Sequence, residues 1–285
     1  MERSTADNSH SYVLSLLRIA AGLLFFQHGA EKLWGFAGAR IVGYNFHSLI
    51  GVAGPIEVIG GALIIFGLFT RATAFILAGE MAVAYFTRWA PRGFWPISNG
   101  GEEAALFCFI FFWLVFAGPG GLSLDQVLAA GQGHRGRLSS TLSSWEPRLR
   151  SLLRVVFAFI LSLHGFRLLF GLLPALAGRR GAVPMALDGL PTAFGALEIA
   201  GGLLLFIGLF TRPAAVILSA ELLFAYFYVA APRSVWPIHN GGDEVLLYFL
   251  AFVYLAAKGA GARSLDDLRT KSSPPGTLSA SAGRI

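Results

Sequence analysis

The chain has 285 residues, of which 55% are hydrophobic and only 13% carry a charge. A soluble domain has about 25% charged residues, and a disordered chain is poor in apolar and aromatic side chains, so the composition excludes both classes. The net charge of +6 gives no reason to expect nucleic-acid binding, because the basic residues lie at the ends of apolar runs and in a polar linker. The continuous apolar runs instead predict an all-α integral membrane protein.

The first predicted unit is residues 12–126, which follow a polar N-terminus at residues 1–11. A helix needs about 20 apolar residues to cross a bilayer. Four runs close to this length are predicted to be spans, at residues 12–30, 51–69, 72–88 and 103–117. We interpret the first run as a retained span rather than a signal peptide, because no small-residue cleavage site follows it.

A polar linker, residues 127–150, is predicted to separate this unit from a second one at residues 151–269. The second unit repeats the first, since GPIEVIGGALIIFGLFTR at 54–71 corresponds to GALEIAGGLLLFIGLFTR at 195–212. Such self-similarity indicates a tandem duplication. The predicted spans of the second unit are residues 152–172, 192–210, 213–229 and 244–258.

The last segment, residues 270–285, is rich in Ser, Pro and Gly and is predicted to be disordered. Because each unit has an even number of spans, about eight in total, both units enter the membrane from the same side. We therefore predict two parallel-repeat four-helix transmembrane bundles, related by a pseudo-twofold axis along the membrane normal. More basic residues lie on the side of the termini than on the opposite side, which predicts that both termini are cytoplasmic.

Ionisable residues within the predicted spans are costly and usually face the bundle interior or a water-filled cavity. The predicted catalytic residues are of this kind: His28, Glu57, Glu80, His164, Glu198 and Glu221. Glu57 and Glu80 flank a tight hairpin at Thr70, so they lie at similar heights in the membrane. His28 is near the outer end of its span, and the fourth helix opens from that side. We expect these groups to converge in the outer half of one four-helix bundle, once in each unit.

Other polar and aromatic residues at the outer ends of the spans are predicted to line a binding site. They are Lys32, Trp95, Asn99, Glu102, Glu103, Trp236, Asn240, Asp243 and Glu244. Arg18 and Arg154 lie near the inner ends of their helices, where their side chains are expected to snorkel, so they are left out of the site.

Several of these residues have structural alternatives. Asn99 with Glu102 resembles a helix N-cap with an acid at the third position, and Asn240 with Asp243 has the same arrangement. The two tryptophans suit interfacial anchors. The glutamates inside the spans are also suited to joining neighbouring helices through hydrogen bonds, with no chemistry.

The residue types indicate proton chemistry. Two carboxylates in an apolar bundle share protons readily, because adjacent charges repel and burial disfavours ionisation, and a neighbouring histidine can hold or pass a proton. Nearby aromatic side chains suit a flat lipophilic ligand such as a quinone. The pattern fits a proton-coupled redox site and also a proton-coupled transport site. A metal site built from a histidine and two glutamates is an alternative, but no short-range ligand motif such as HExxH supports it, and no metal ligand is assigned.

Five stretches carry a family resemblance: HGAEKLWGF, the G-x-x-E-x-x-G-G-x-L run ending in GLFTR, the Gly79-Glu80 segment with Ala84-Tyr85-Phe86, FWPISNGGEEAALF, and GPGGLSLD. They resemble the DoxX family of small four-helix bacterial inner-membrane proteins, and this chain looks like two such units fused into a pseudo-dimer. The second unit departs from the first, since Lys32 aligns with Leu168 and Gly79 with Ala220. If the lysine matters, the second unit is a degenerate or complementary half.

The resemblance implies an oxidoreductase context in the bacterial inner membrane. Family members are associated with quinol oxidase, with thiosulfate:quinone oxidoreductase, or with oxidative-stress complexes that contain a superoxide dismutase and a sulfurtransferase. Quinone is therefore the expected ligand, and redox subunits and the lipid bilayer are the expected partners. The sequence leaves open whether the protein is itself an enzyme, a non-enzymatic membrane scaffold, or a proton-coupled transporter of small solutes.

Overall fold

The computed structural model describes residues 2–36, 48–132, 137–170 and 189–272. All regular structure in these ranges is helical, as the sequence predicts. The helices of the first repeat are α1 (Glu2–Trp34), α2 (Leu49–Phe66), α3 (Thr70–Ala84), α4 (Pro96–Asn99), α5 (Glu102–Ala117) and α6 (Leu124–Gln132). Those of the second are α7 (Arg137–Phe170), α8 (Leu190–Ile207), α9 (Thr211–Ala225), α10 (Pro237–Asn240), α11 (Asp243–Lys258) and α12 (Leu265–Ser272). A π-helical turn continues α3 over Tyr85–Trp89 and α9 over Tyr226–Ala230.

Length and composition identify candidate membrane spans among these helices. Within the described ranges, the segments long and apolar enough to cross a bilayer are Ser9–Trp34, Arg137–Phe170, Leu190–Ile207 and Thr211–Ala230, and Gly51–Phe66 is a shorter apolar helix.

Helix α7 runs without interruption through much of the segment predicted to be a linker, residues 127–150. The polar residues 137–150 contain no glycine, and Pro147 lies inside the helix without ending it. Residues 270–272 complete α12, and the rest of the tail predicted to be disordered lies outside the described residues.

The two repeats interlock instead of forming two separate bundles. Helix α1 packs against α2 of its own repeat and against α11 of the other, and α7 packs in the same way against α8 and α5. Helices α5 and α11 meet between them, where the rings of Trp113 and Tyr254 lie with their centroids 4.6 Å apart. The expectation of one self-contained four-helix bundle per unit is corrected here, because the fourth helix of each repeat packs against the first helix of the other.

Glycines let α1 and α2 cross closely at the level of the predicted site. A Cβ at Gly29 would lie 2.6 Å from the backbone nitrogen of Val58, and one at Gly165 would lie 2.7 Å from the carbonyl oxygen of Gly195. Real Cβ atoms do not approach backbone this closely, so both helix pairs depend on the missing side chain. This contact sets His28 and His164 directly beside the second helix of their repeats.

The α2–α3 hairpin has a backbone that is unusual for its sequence. Phe69 adopts a left-handed conformation with φ of 50°, although a phenylalanine there is strained. The carboxylate of Asp125 accepts hydrogen bonds from the backbone N–H groups of Phe69 and Thr70, both at 2.8 Å. Asp266 holds Phe210 and Thr211 in the same way, at 2.9 and 2.8 Å. The repeated Ser-Leu-Asp motif therefore fixes this turn.

Arg18 and Arg154 do not snorkel. Their side chains are buried, and Arg18 donates hydrogen bonds to carbonyl oxygens at the end of α2 and in the segment before α6, including Pro119 at 2.7 Å and Ile65 at 2.8 Å. Arg154 makes the matching bonds to Ala260 and Phe206. The sequence-based expectation was wrong because a helix C-terminus leaves carbonyl groups unpaired, and an arginine fork within reach satisfies several at once.

Candidate functional site

An ion pair joins α1 to α2 in the first repeat. The ammonium group of Lys32 donates a hydrogen bond to Glu57 Oε1, and Glu57 is only 2% exposed. Glu80 on α3 lies close enough to Glu57 and Lys32 to interact with them electrostatically. Neither carboxylate oxygen of Glu80 accepts a hydrogen bond from a residue that the structure describes. The two glutamates expected at similar heights are thus neighbours on packed helices.

His28 contacts acids from both repeats. Its Nε2 atom lies 2.6 Å from Glu103 Oε1 on α5 and 3.5 Å from Asp243 Oδ2 on α11. Ligand atoms of these three residues all lie within 4.8 Å of one another. We define the first network as Lys32, Glu57, Glu80, His28, Glu103 and Asp243. Most of its members were predicted to meet within one unit, and the structure adds Asp243, an acid from the other repeat.

In the second repeat the histidine takes a different partner. His164 Nδ1 lies 3.0 and 2.8 Å from the two carboxylate oxygens of Glu198 on α8, which is 2% exposed. The position of Lys32 is occupied by Leu168, which offers Glu198 no charge. Glu221 on α9 is buried and interacts electrostatically with Glu198 and His164.

A tyrosine that the sequence analysis missed completes this second group. Tyr248 on α11 donates a hydrogen bond of 2.7 Å to Glu102 Oε1 on α5, and Glu102 interacts electrostatically with His164. We define the second network as His164, Glu198, Glu221, Glu102 and Tyr248. The available signal was a polar hydroxyl within an apolar run, at the position where the first repeat has Phe107.

The two asparagines shape the turn that opens the fourth helix. Asn99 Oδ1 accepts a hydrogen bond of 2.7 Å from the Gly101 N–H, and its amide donates to the Gly93 carbonyl at 2.9 Å. Asn240 makes the corresponding bond to Gly242. Neither residue is a helix N-cap, because α5 begins at Glu102 after Gly101 and α11 begins at Asp243 after Gly242. The side chains instead stabilise the sharp turn that brings both helix starts to the networks.

The two tryptophans each contact a ring of the other repeat. Trp95 lies with its centroid 6.0 Å from Phe159, and Trp236 lies 4.6 Å from Phe36. Both remain more than 40% exposed, as suits an interfacial aromatic side chain. Glu244, the last predicted binding residue, begins α11 beside Asp243 and interacts electrostatically with Tyr248.

The DoxX family profile matches residues 13–89 and 149–231, which together make up more than half of the chain. The chain belongs to the DoxX family. The two matched segments are consistent with a tandem duplication of the DoxX unit, and the sequence resemblance is confirmed. Family membership and the apolar helices identify a multi-pass membrane protein.

Two relatives of this DoxX chain are each about as long as one repeat. An "Uncharacterized protein" of Haemophilus influenzae is 44% identical over 123 residues, which cover 40% of this chain and 90% of the relative. A Bacillus subtilis protein named "Putative oxidoreductase CatD" is 31% identical over 124 residues, or 41% of this chain and 87% of the relative. No solved structure matches the chain.

The chemistry available to this DoxX chain is proton binding and ion binding. Each network combines an imidazole with at least two carboxyl groups in a largely apolar surrounding, where an unpaired charge is costly. Each also draws an acid from the fourth helix of the other repeat, Asp243 for the first and Glu102 for the second. The two networks therefore lie at the junction of the repeats and at the end of the helices away from the termini.

Proposed function

We propose that this protein is a subunit of a quinone-linked oxidoreductase system in the bacterial inner membrane. Its role is to bind quinone, or a quinone-coupled partner, beside the two buried networks. The observation that carries the proposal is the burial of Glu57 and Glu198, each beside a histidine and a second glutamate, in an apolar helical protein. The name of the Bacillus subtilis relative supports an oxidoreductase context.

The proposed roles follow from the chemistry of quinone reduction, which adds two electrons and two protons to the ring. Glu57, Glu80, Glu198 and Glu221 supply or accept the protons, because paired carboxyl groups in an apolar site share protons readily. His28 and His164 orient the acids, and His164 can also pass a proton to Glu198. The two electrons come from a redox partner subunit or from a quinol, which is itself oxidised to a quinone.

The arrangement in the membrane is part of the proposal. With eight spans and both termini in the cytoplasm, the networks lie in the outer half of the bilayer. The two repeats are related by a pseudo-twofold axis along the membrane normal and act as a pseudo-dimer within one chain. The lengths of the two relatives, about one repeat each, support this reading.

Co-purification tests the proposal directly. The full chain is purified in mild detergent, its absorption spectrum is recorded, and bound small molecules are identified by mass spectrometry. We expect a stoichiometric quinone in the wild type and its loss in the Glu80→Gln/Glu221→Gln variant. A protein that carries only phospholipid in both forms would contradict the proposal.

A membrane scaffold is the second candidate, and the Lys32–Glu57 pair favours it. This pair, like the bond from Tyr248 to Glu102, joins two helices and needs no ligand to be satisfied. A scaffold predicts that the double glutamine variant loses stability or partner recovery with no change in any bound ligand. Solute flux into proteoliposomes that depends on a proton gradient would instead indicate a transporter.

A further inference from the structure

We propose that His28, Glu103 and Asp243 form a binding site for one divalent transition-metal cation at the junction of the two repeats. The three residues come from α1, α5 and α11, so no local sequence motif reveals the site. It goes beyond the proposed redox role and does not depend on it.

The geometry is close to that of a coordinated ion. Around Zn²⁺, nitrogen and oxygen ligands lie at about 2.0–2.2 Å. Three such ligands in a tetrahedral arrangement are then roughly 3.4 Å from one another. The ligand atoms of this cluster all lie within 4.8 Å of one another, with His28 Nε2 3.5 Å from Asp243 Oδ2. Small side-chain rotations therefore suffice to seat a cation, and a fourth position stays available for water.

The donor set narrows the class of ion. An imidazole nitrogen with two carboxylate oxygens suits Zn²⁺, Fe²⁺ or Mn²⁺ and not the all-oxygen surroundings that Ca²⁺ and Mg²⁺ prefer. Among these, Zn²⁺ binds nitrogen and oxygen sites most tightly. Zn²⁺ is therefore the probe that reports the site most sensitively.

The charge of the surroundings favours a cation. Among the residues that the structure describes, the acids that interact around the cluster are Glu57, Glu80, Glu103 and Asp243, and the bases that interact with them are Lys32 and His28. Glu57 Oε2 is buried and accepts no hydrogen bond from the described residues, although Glu57 interacts electrostatically with His28 and Glu103. A carboxyl group in an apolar interior keeps its proton or pairs with a cation, because an unpaired buried charge is costly. A divalent cation that displaces such protons supplies that pairing.

The second repeat explains why only one such site is expected. There Glu198 binds the histidine and Tyr248 binds Glu102, the counterpart of Asp243. His164 and Glu102, the two potential metal ligands, are thus each bound to another side chain. In the first repeat Lys32 binds the glutamate of α2, and His28 lies 2.6 Å from Glu103 and 3.5 Å from Asp243.

Metal binding to the full chain tests the site without any quinone. The detergent-purified protein is stripped with a chelator and titrated with Zn²⁺, and bound metal is counted by elemental analysis. We expect one Zn²⁺ per chain. The variants His28→Gln and Asp243→Asn should each weaken binding by at least about 100-fold, since loss of an outer-shell partner alone costs about 10–100-fold.

The matched control is His164→Gln, which removes the other histidine and should leave the one Zn²⁺ in place. X-ray absorption at the zinc edge of the wild type should show one imidazole nitrogen among oxygen ligands. Size-exclusion elution reports whether each variant folds. If a variant does not fold, the X-ray absorption spectrum of the wild type still tests the proposed ligands. Failure of the wild type to bind Zn²⁺ stoichiometrically, equal loss in His164→Gln, or a second imidazole at the metal would overturn the proposal.

Discussion

The two repeats keep the same histidine and glutamates yet pair them differently. In the first repeat Lys32 binds Glu57, and His28 contacts Glu103 and Asp243. In the second the lysine is replaced by Leu168, and the histidine binds the glutamate of α2 itself. The lysine in one repeat and the leucine in the other thus accompany different acid partners of the histidine.

A second difference lies on the fourth helix. Tyr248 donates a hydrogen bond to Glu102, whereas its counterpart Phe107 packs its ring against Phe25 with centroids 5.1 Å apart. The acid at this position is held by the tyrosine in one network, whereas in the other it lies 3.5 Å from the histidine. Glu102 and its counterpart Asp243 therefore do not have identical roles, because their neighbours differ.

Lys32→Leu gives the first repeat the residue of the second and should have the largest effect. Breaking a buried ion pair costs about 3–5 kcal/mol, and we expect about 3 kcal/mol here because Lys32 is 29% exposed. His28 should move to Glu57, as His164 pairs with Glu198, and Zn²⁺ binding should fall. Thermal unfolding in detergent and zinc titration measure both effects. Leu168→Lys is the reciprocal control, and an unchanged melting temperature in Lys32→Leu would refute the comparison.

Gly29→Ala tests a feature that the repeats share. The new Cβ would lie 2.6 Å from the Val58 backbone, and such overpacking should cost about 2 kcal/mol. Gly79→Ala is the matched control, since a Cβ there meets nothing within 4 Å and the second repeat already has Ala220. It should be neutral or slightly stabilising in thermal unfolding. Equal melting temperatures for the two variants would argue against a tight α1–α2 contact.

Tyr248→Phe makes the fourth helices alike. Glu102 loses a hydrogen bond of 2.7 Å in a buried position, and we expect the free energy of unfolding to fall by about 1.5 kcal/mol. Phe107→Tyr is the reciprocal change; it places a hydroxyl near Asp243 and should weaken Zn²⁺ binding instead. Chemical denaturation of both variants measures the difference, and a Tyr248→Phe protein as stable as the wild type would be inconsistent with this bond.

Asp266→Asn should have the smallest effect, about 1 kcal/mol, because it weakens a helix-start hydrogen bond at the surface. Burial opposes ionisation of Asp266, but hydrogen bonds from Thr211 and Phe210 and the charge of Arg269 outweigh it, so its pKa is lowered. A lowered pKa in the folded state means that the contribution is present above the unfolded value of about 3.9. It is lost as the pH falls through the folded pKa.

The melting temperatures of wild type and Asp266→Asn should therefore differ at neutral pH and converge below about pH 4. Asp125→Asn tests the same turn in the first repeat. A difference that persists or grows in acid would show that the carboxylate charge is not what stabilises the turn.

The sequence was sufficient for the helical class, the family, and the histidines and acids of the networks, but not for Tyr248. Apolar runs and repeated motifs involve residues that are close together in the chain, so they can be identified from the sequence alone. The partners of His28 and Glu102 could not be predicted from the sequence, because they depend on how α1 packs against α11 and how α5 packs against α7. Arg18 was misjudged for the same reason, since its carbonyl acceptors come from two segments distant in sequence.

Each network includes an acid from the fourth helix of the other repeat, and this arrangement affects how such a protein can evolve. If a single-unit relative builds the same junction from two identical chains, every substitution alters both networks at once. In the fused chain, Tyr248 belongs to the second network only, and Leu168 occupies the position of Lys32 in the second repeat only. Fusion thus frees each half to be selected separately, and one half can keep an inherited task while the other drifts toward a structural or a new one.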